Sequence, residues 1–187
     1  MVRLHEKTES EAVDALKRAA MKLFAERGVD GVTVREIAAA AGQRNHGAVG
    51  YHFGSKADLI RALIVDGARL INDRRNAALD ALEASGAAPT LDEVLGIMVY
   101  PSVDLTPEGE EECYNRFIVL FSMTHRALFM EALGGQWNSG FRRCLDHLRG
   151  FMGHLPRAKQ TERIVFLESY LGSVLAAREA RLADTSR

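Results

Sequence analysis

Apolar residues recur at 12, 16, 19, 20, 23 and 24, one face of an amphipathic helix that ends at Gly28. After a turn at "VDG", Thr33 stands where an N-cap belongs, with Glu36 three residues on to complete a capping box. Val34, Ile37, Ala38 and Ala41 then give a short helix over 34–41, stopped by Gly42. A third short helix is expected over about 46–52, burying Val49 and Phe53. Ser55 is the next N-cap candidate, and Leu59, Ile60, Leu63, Ile64, Leu70 and Ile71 carry a long fourth helix to about Leu82. Gly67 in its middle signals a close contact or a bend.

"SGAAP" breaks the chain at 85–89, and Thr90 caps a fifth helix to about Val99. Acidic residues at 108–112 suit the start of another, which buries Phe117, Leu120 and Phe121 and breaks near Thr124. Trp137, Phe141, Leu145, Leu148 and Met152 form the next stripe, ahead of Pro156. A last helix runs over about 159–183. No strand alternation and no repeat interrupts this order. The fold expected is all-α, with a three-helix N-terminal domain over 1–57 and a helical C-terminal domain over 58–187, joined by the fourth helix.

Composition narrows the reading. The formal net charge is -1, so the chain as a whole is no basic wrapper for nucleic acid, and any anion-binding surface must be local. Apolar runs are short, as at 117–121, so no segment reads as a membrane span. The segment MVRLHEKTES has no apolar core of a signal peptide, and Cys113 and Cys144 read as free thiols, both fitting a cytoplasmic protein.

Two short helices around a glycine-containing turn read as a helix-turn-helix, whose second helix enters the DNA major groove. The stretch "AGQRNHGAVGYHFGSK" supplies suitable groups. Arg44 matches guanine and Asn45 matches adenine, while His46 can donate or accept. Gly47 and Ala48 allow close approach, with the Ala48 methyl suited to thymine. Tyr51, His52 and Lys56 suit phosphate oxygens, and Thr33 with the amides opening the second helix suits another. Within 33–56, Arg35, Arg44 and Lys56 stand against Glu36, so the segment is locally positive.

"LKRAAMKLFAERGVDGVTVREIAAAAG" followed by "YHFGSKADLIRALI" resembles the N-terminal domain of the TetR (tetracycline-repressor) family of bacterial transcription regulators. The resemblance implies a homodimer, a divergent C-terminal domain for a small-molecule effector, and a palindromic operator in double-stranded DNA. By position it puts Thr33 and Lys56 on phosphates and Arg44 to Ala48 in the groove. Two features depart from the family pattern: the turn is one residue longer, and Gly50 stands where a tyrosine is common.

The C-terminal half offers two further surfaces. Met98, Tyr100, Phe117, Phe121, Met123, Trp137 and Phe141 are candidate walls of a ligand cavity, although such residues at helical spacing also build ordinary cores. The last helix is apolar or small on most sides over 164–177, which calls for burial on two faces. Leu145, Leu148, Leu167, Leu171, Val174 and Leu175 are therefore candidates for a four-helix dimer interface. Cys144 and His147 share a helix face, but two ligands are too few for a metal site. The chain lacks GxxxxGK[ST], HExxH, GxSxG and CxxC, and no histidine has a glutamate three residues before it. A non-enzymatic, ligand-responsive DNA-binding protein without a cofactor is the expectation. A helical protein-interaction module is the rival.

Overall fold

The computed structural model describes residues 2–107 and 110–185, with side chains from Glu9 onward. Among these residues the chain forms nine α-helices and no strand: α1 Val2–Arg27, α2 Val34–Ala40, α3 Ala48–Phe53, α4 Lys56–Ala84, α5 Leu91–Val99, α6 Tyr114–Thr124, α7 Arg126–Leu133, α8 Ser139–Phe151 and α9 Arg157–Thr185. A 3-10 turn at Tyr100–Ser102 follows α5. The helix starts marked by capping residues fall where expected. Thr33 and Thr90 form full capping boxes with Glu36 and Glu93, and the Ser55 hydroxyl accepts the Asp58 amide. The first helix begins about ten residues earlier than its apolar stripe, because polar helix formers extend it without a periodic signature.

Two cores organise the packing. The first joins Leu16, Ala20 and Phe24 of α1, Ile37 of α2, Val49 of α3 and Leu59 and Leu63 of α4 with Tyr114, Phe117 and Phe121 of α6. The second joins Leu79, Val94, Met98, Cys144, Leu145, Leu148 and Ile164. The boundary expected at residue 57 falls inside α4, and α6 inserts into the same core as the three N-terminal helices. Gly67 marks a close contact rather than a bend. A β-carbon there would lie 2.1 Å from the Tyr114 ring, whose hydroxyl donates to the Ile64 carbonyl (3.0 Å).

Four of the buried polar residues, Asn72, Arg75, Gln160 and Glu179, complete helix ends. Helices α6 and α8 have no side-chain cap of their own, and their starts are completed by other helices. Glu179 of α9, 1% exposed, accepts the backbone amides of Asn115 (2.9 Å) and Arg116 (2.8 Å) at the start of α6. Asn72 of α4 accepts the Gly140 amide (3.0 Å) at the start of α8. Arg75 of α4 donates to the Met98 carbonyl (2.8 Å) at the end of α5, and Gln160 of α9 donates to Met152 and Leu155 (3.1 and 3.0 Å) at the end of α8.

This corrects the reading of the acidic run. Glu108 lies outside the described residues, and Glu110, Glu111 and Glu112 precede α6 instead of opening it. Glu111 pairs with Lys22 (2.8 Å) and Arg116 (2.7 Å), and Glu112 with Arg178 (2.6 Å). The negative charge at the start of α6 comes from α9.

The expected dimer set is corrected as well. Leu145 and Leu148 are buried in their own chain, and Leu167 and Leu171 pack against the same core. Leu175 is half-buried, so only Val174 of that set is exposed. The large apolar side chains that α9 turns outward are Val165, Phe166, Tyr170 and Val174, with Leu182 further along. Nor do the candidate cavity walls converge. Met98 belongs to one core and Phe117 and Phe121 to the other, Tyr100 and Met123 are exposed, and Trp137 is half-exposed. Phe141 packs on the second core beneath the Arg75 guanidinium, 5.5 Å from its ring centre.

Candidate nucleic-acid interface

The turn between α2 and α3 is built by local hydrogen bonds. Gly42 takes a left-handed φ of 67°, and the Gln43 amide reaches back to the Ala38 carbonyl (2.9 Å), closing α2. The Asn45 side-chain oxygen accepts the Gly47 amide (2.8 Å), an Asx turn that leads into α3. Helix α3 therefore starts at Ala48, two residues later than expected, and Arg44, Asn45 and His46 lie in the turn before it.

Arg44, Asn45, His46 and Gly47 are all exposed. Tyr51, one helical turn beyond Gly47, is 75% exposed, and half-buried His52 meets its ring edge-on at 4.8 Å. Val49 and Phe53 anchor the opposite face, Val49 fully buried and Phe53 packed against the first core. Gly50 is exposed, and a β-carbon there would meet nothing within 4 Å. The outer face of α3 is thus bare backbone beside one large aromatic, which lets another surface approach the helix closely.

Three expected contacts need revision. Ala48 is 5% exposed and sits in the core, so its methyl faces inward and away from any base. The Lys56 ammonium, expected on a phosphate, donates instead to the carbonyls of Val32 (2.6 Å) and Val29 and lies 5.9 Å from the Phe24 ring centre. It ties α4 to the turn between α1 and α2. The Thr33 hydroxyl is exposed but already committed to Glu36 as donor (2.7 Å) and as acceptor of its amide (3.3 Å). Arg35, outside the expected set, stands exposed in the first turn of α2. Its guanidinium and that of Arg44 have no ion-pair partner among the described residues, so both are available to phosphates or bases.

Glu36 is held by the Thr33 amide (2.7 Å), the Thr33 hydroxyl and Arg27 (2.9 Å), which lower its pKa from 4.5 to about 2. A carboxylate with a lowered folded pKa stabilises the fold above its ordinary range and loses that contribution as pH falls. The start of α2 is therefore expected to loosen as pH drops from 4.5 towards 2. A carboxyl NMR titration of Glu36 checks it; a midpoint at 4.5 would show the capping box is not formed.

Other chemistries fare differently. Cys113 and Cys144 are buried; burial, helped by Glu179, pushes the Cys113 thiol up to about 12, and burial also raises that of Cys144. Neither supplies a thiolate at neutral pH. The expected Cys144–His147 face does not converge, since His147 lies 3.2 Å from Glu83 while Cys144 points into the core. Among the described residues, no cluster of three or more His, Cys, Asp or Glu could hold a metal ion, and no helix is long and apolar enough to cross a membrane.

An all-helical chain that presents a free turn and a bare, core-anchored α3 is a helix-turn-helix protein. Residues 16–63, about a quarter of the chain, match the family model of bacterial regulatory proteins, tetR family. The matched segment runs from the core of α1 to the first turns of α4, so residues 16–63 match that family's DNA-binding domain, which supports a DNA-binding transcriptional regulator. No curated protein matches the chain.

Proposed function

We propose that the protein is a ligand-responsive repressor that binds a palindromic operator as a homodimer, with residues 1–57 on DNA and 58–187 serving dimerisation and effector binding. The observation that carries the dimer is the outward stripe of α9, where Phe166 is 64% and Tyr170 67% exposed, with Val165 and Val174 beside them. Phe166, Tyr170 and Val174 are spaced four residues apart and form one continuous apolar face, which a second copy covers about a two-fold axis. Two α3 helices then meet major grooves about 34 Å apart. An effector acts by binding more tightly to a dimer of another spacing, since only differential affinity shifts the two states. No cofactor is needed for this scheme.

Footprinting of genomic DNA bound by the purified protein tests the operator: a palindrome with half-sites one helical turn apart is expected, and a site without symmetry counts against the dimer. Phe166→Glu places a charge on the stripe, and sedimentation should then find mainly monomer, with operator affinity falling by more than about tenfold. A dimer that survives the change would place the interface elsewhere. Arg44→Ala should weaken specific binding by about 1–3 kcal/mol and relax preference at one base pair per half-site. Unchanged sequence preference would remove Arg44 from the base contacts.

A further inference from the structure

We propose that a cavity between the α1–α2 turn and helices α4, α6 and α7 binds a small molecule with an apolar body and a single carboxylate. The cavity measures about 310 Å³, at the lower end of ligand sites. Val29, Ile60, Ile64, Phe121, Leu128 and Ala132 supply its apolar walls. The cavity draws on both parts of the molecule, and the candidate walls chosen from sequence contribute only Phe121 to it.

Its polar groups select the charge. His125 joins α6 to α7, with Nδ1 2.8 Å from the Thr124 hydroxyl and the ring stacked on Phe121 at 5.0 Å. The other ring nitrogen, Nε2, lies 3.4 Å from a carboxylate oxygen of Asp30, whose side chain is otherwise largely in solvent. Lys56 also lines the cavity; two of its three N–H groups meet the Val29 and Val32 carbonyls, leaving one uncommitted. Arg61 is occupied by Asp58 (2.8 Å) and Glu131 (3.2 Å). A ligand carboxylate can therefore replace the loosely held Asp30 at His125 Nε2 and reach the remaining Lys56 N–H, while its body fills the apolar floor.

Helix α7 is the second observation. None of its residues is fully buried, Phe129, Ala132 and Leu133 rest only half-buried on the first core, and Leu128 and Met130 are about half exposed. A ligand beneath it supplies the apolar contact this short helix lacks. Because Val29 and Asp30 lead directly into the cap of α2, filling the cavity acts on the turn that sets α2 and α3. That regulatory consequence rests on the ligand-responsive reading above; binding itself does not.

The test uses the full chain without DNA, carrying ¹³C-labelled isoleucine methyls. Hexanoate and benzoate, each against its neutral alcohol, are titrated while the Ile60 and Ile64 methyl signals are followed. Expected is saturation by a carboxylate with Kd of about 1 mM or tighter, at least about tenfold tighter than its alcohol. Leu128→Trp, at a half-exposed wall position that tolerates bulk, should abolish saturation in a protein with an unchanged melt. His125→Leu should remove the preference for the carboxylate and leave alcohol binding. Equal binding of acid and alcohol, saturation unaffected by Leu128→Trp, or no methyl shift up to about 10 mM of either acid overturns the proposal. Saturation that leaves operator affinity unchanged upholds the site and counts against ligand-responsive repression, so the two fail separately.

Discussion

Glu179→Ala should destabilise the protein by about 3–5 kcal/mol, the loss expected when buried donors bound to a charged acceptor are stranded. The carboxylate accepts from the Asn115 amide, the Arg116 amide and the Asn115 side-chain nitrogen (2.8 Å), and these groups have no water to turn to. The same Asn115 nitrogen also donates to the Ser102 carbonyl (2.9 Å), and Arg75 reaches the Ser102 hydroxyl (3.3 Å). One residue of α9 therefore holds the start of α6, and through Asn115 and Ser102 the network extends to α4. Negative charge at a helix N-terminus adds to the stabilisation. Glu179→Gln keeps one acceptor oxygen and should recover part of the loss. Urea melts at fixed protein concentration measure both variants, with the concentration held constant because a dimer's stability depends on it. A loss below about 1 kcal/mol for the alanine variant would show that the ends of α6 are satisfied in another way.

What the sequence disclosed, and what it hid, follows from how local each signal is. Thr33, Ser55 and Thr90 mark helix starts because a cap and its partner lie within three residues. Glu179 gave no such signal: the amides it caps lie 63 and 64 residues away, and in sequence it is one acid beside Arg178 and Arg181 with no capping pattern. Lys56 is the same case seen from the DNA side. A lysine just after the third helix suits a phosphate, but the turn 24 to 27 residues earlier offers two carbonyls, and these take its ammonium. Ala48 was misplaced because the Asx turn at Asn45 delays α3 by two residues and rotates that position inward. On α9 both faces are apolar, so periodicity could not separate the inward Leu167 and Leu171 from the outward Phe166 and Tyr170. The exposed turn itself was legible, since glycines and polar residues have few other uses between two short helices.

The second large effect is expected at Gly67. A β-carbon there would lie 2.1 and 2.2 Å from two carbons of the Tyr114 ring, well inside any contact, so the ring has to leave. Tyr114 is buried, its hydroxyl is bound to Ile64, and its ring lies edge-on to Phe117 at 6.5 Å. Gly67→Ala should accordingly lose about 3 kcal/mol, at the upper end for an overpacked core, even though alanine favours a helix by about 1 kcal/mol over glycine. The gain in propensity is the smaller term because α4 is already fixed along its length by both cores. Tyr114→Leu alone should also destabilise, through the lost hydroxyl bond and ring contact. Combined with Gly67→Ala, it should cost less than the sum of the two, because the shorter side chain makes room for the new methyl. Thermal melts of the four proteins complete the cycle, and strict additivity would mean that the ring and the glycine do not meet. The same pair bears on regulation: Tyr114 opens α6, α6 ends at His125, and His125 reaches Asp30 beside the helix-turn-helix. A variant that pushes α6 off α4 without unfolding the chain should therefore also alter operator affinity.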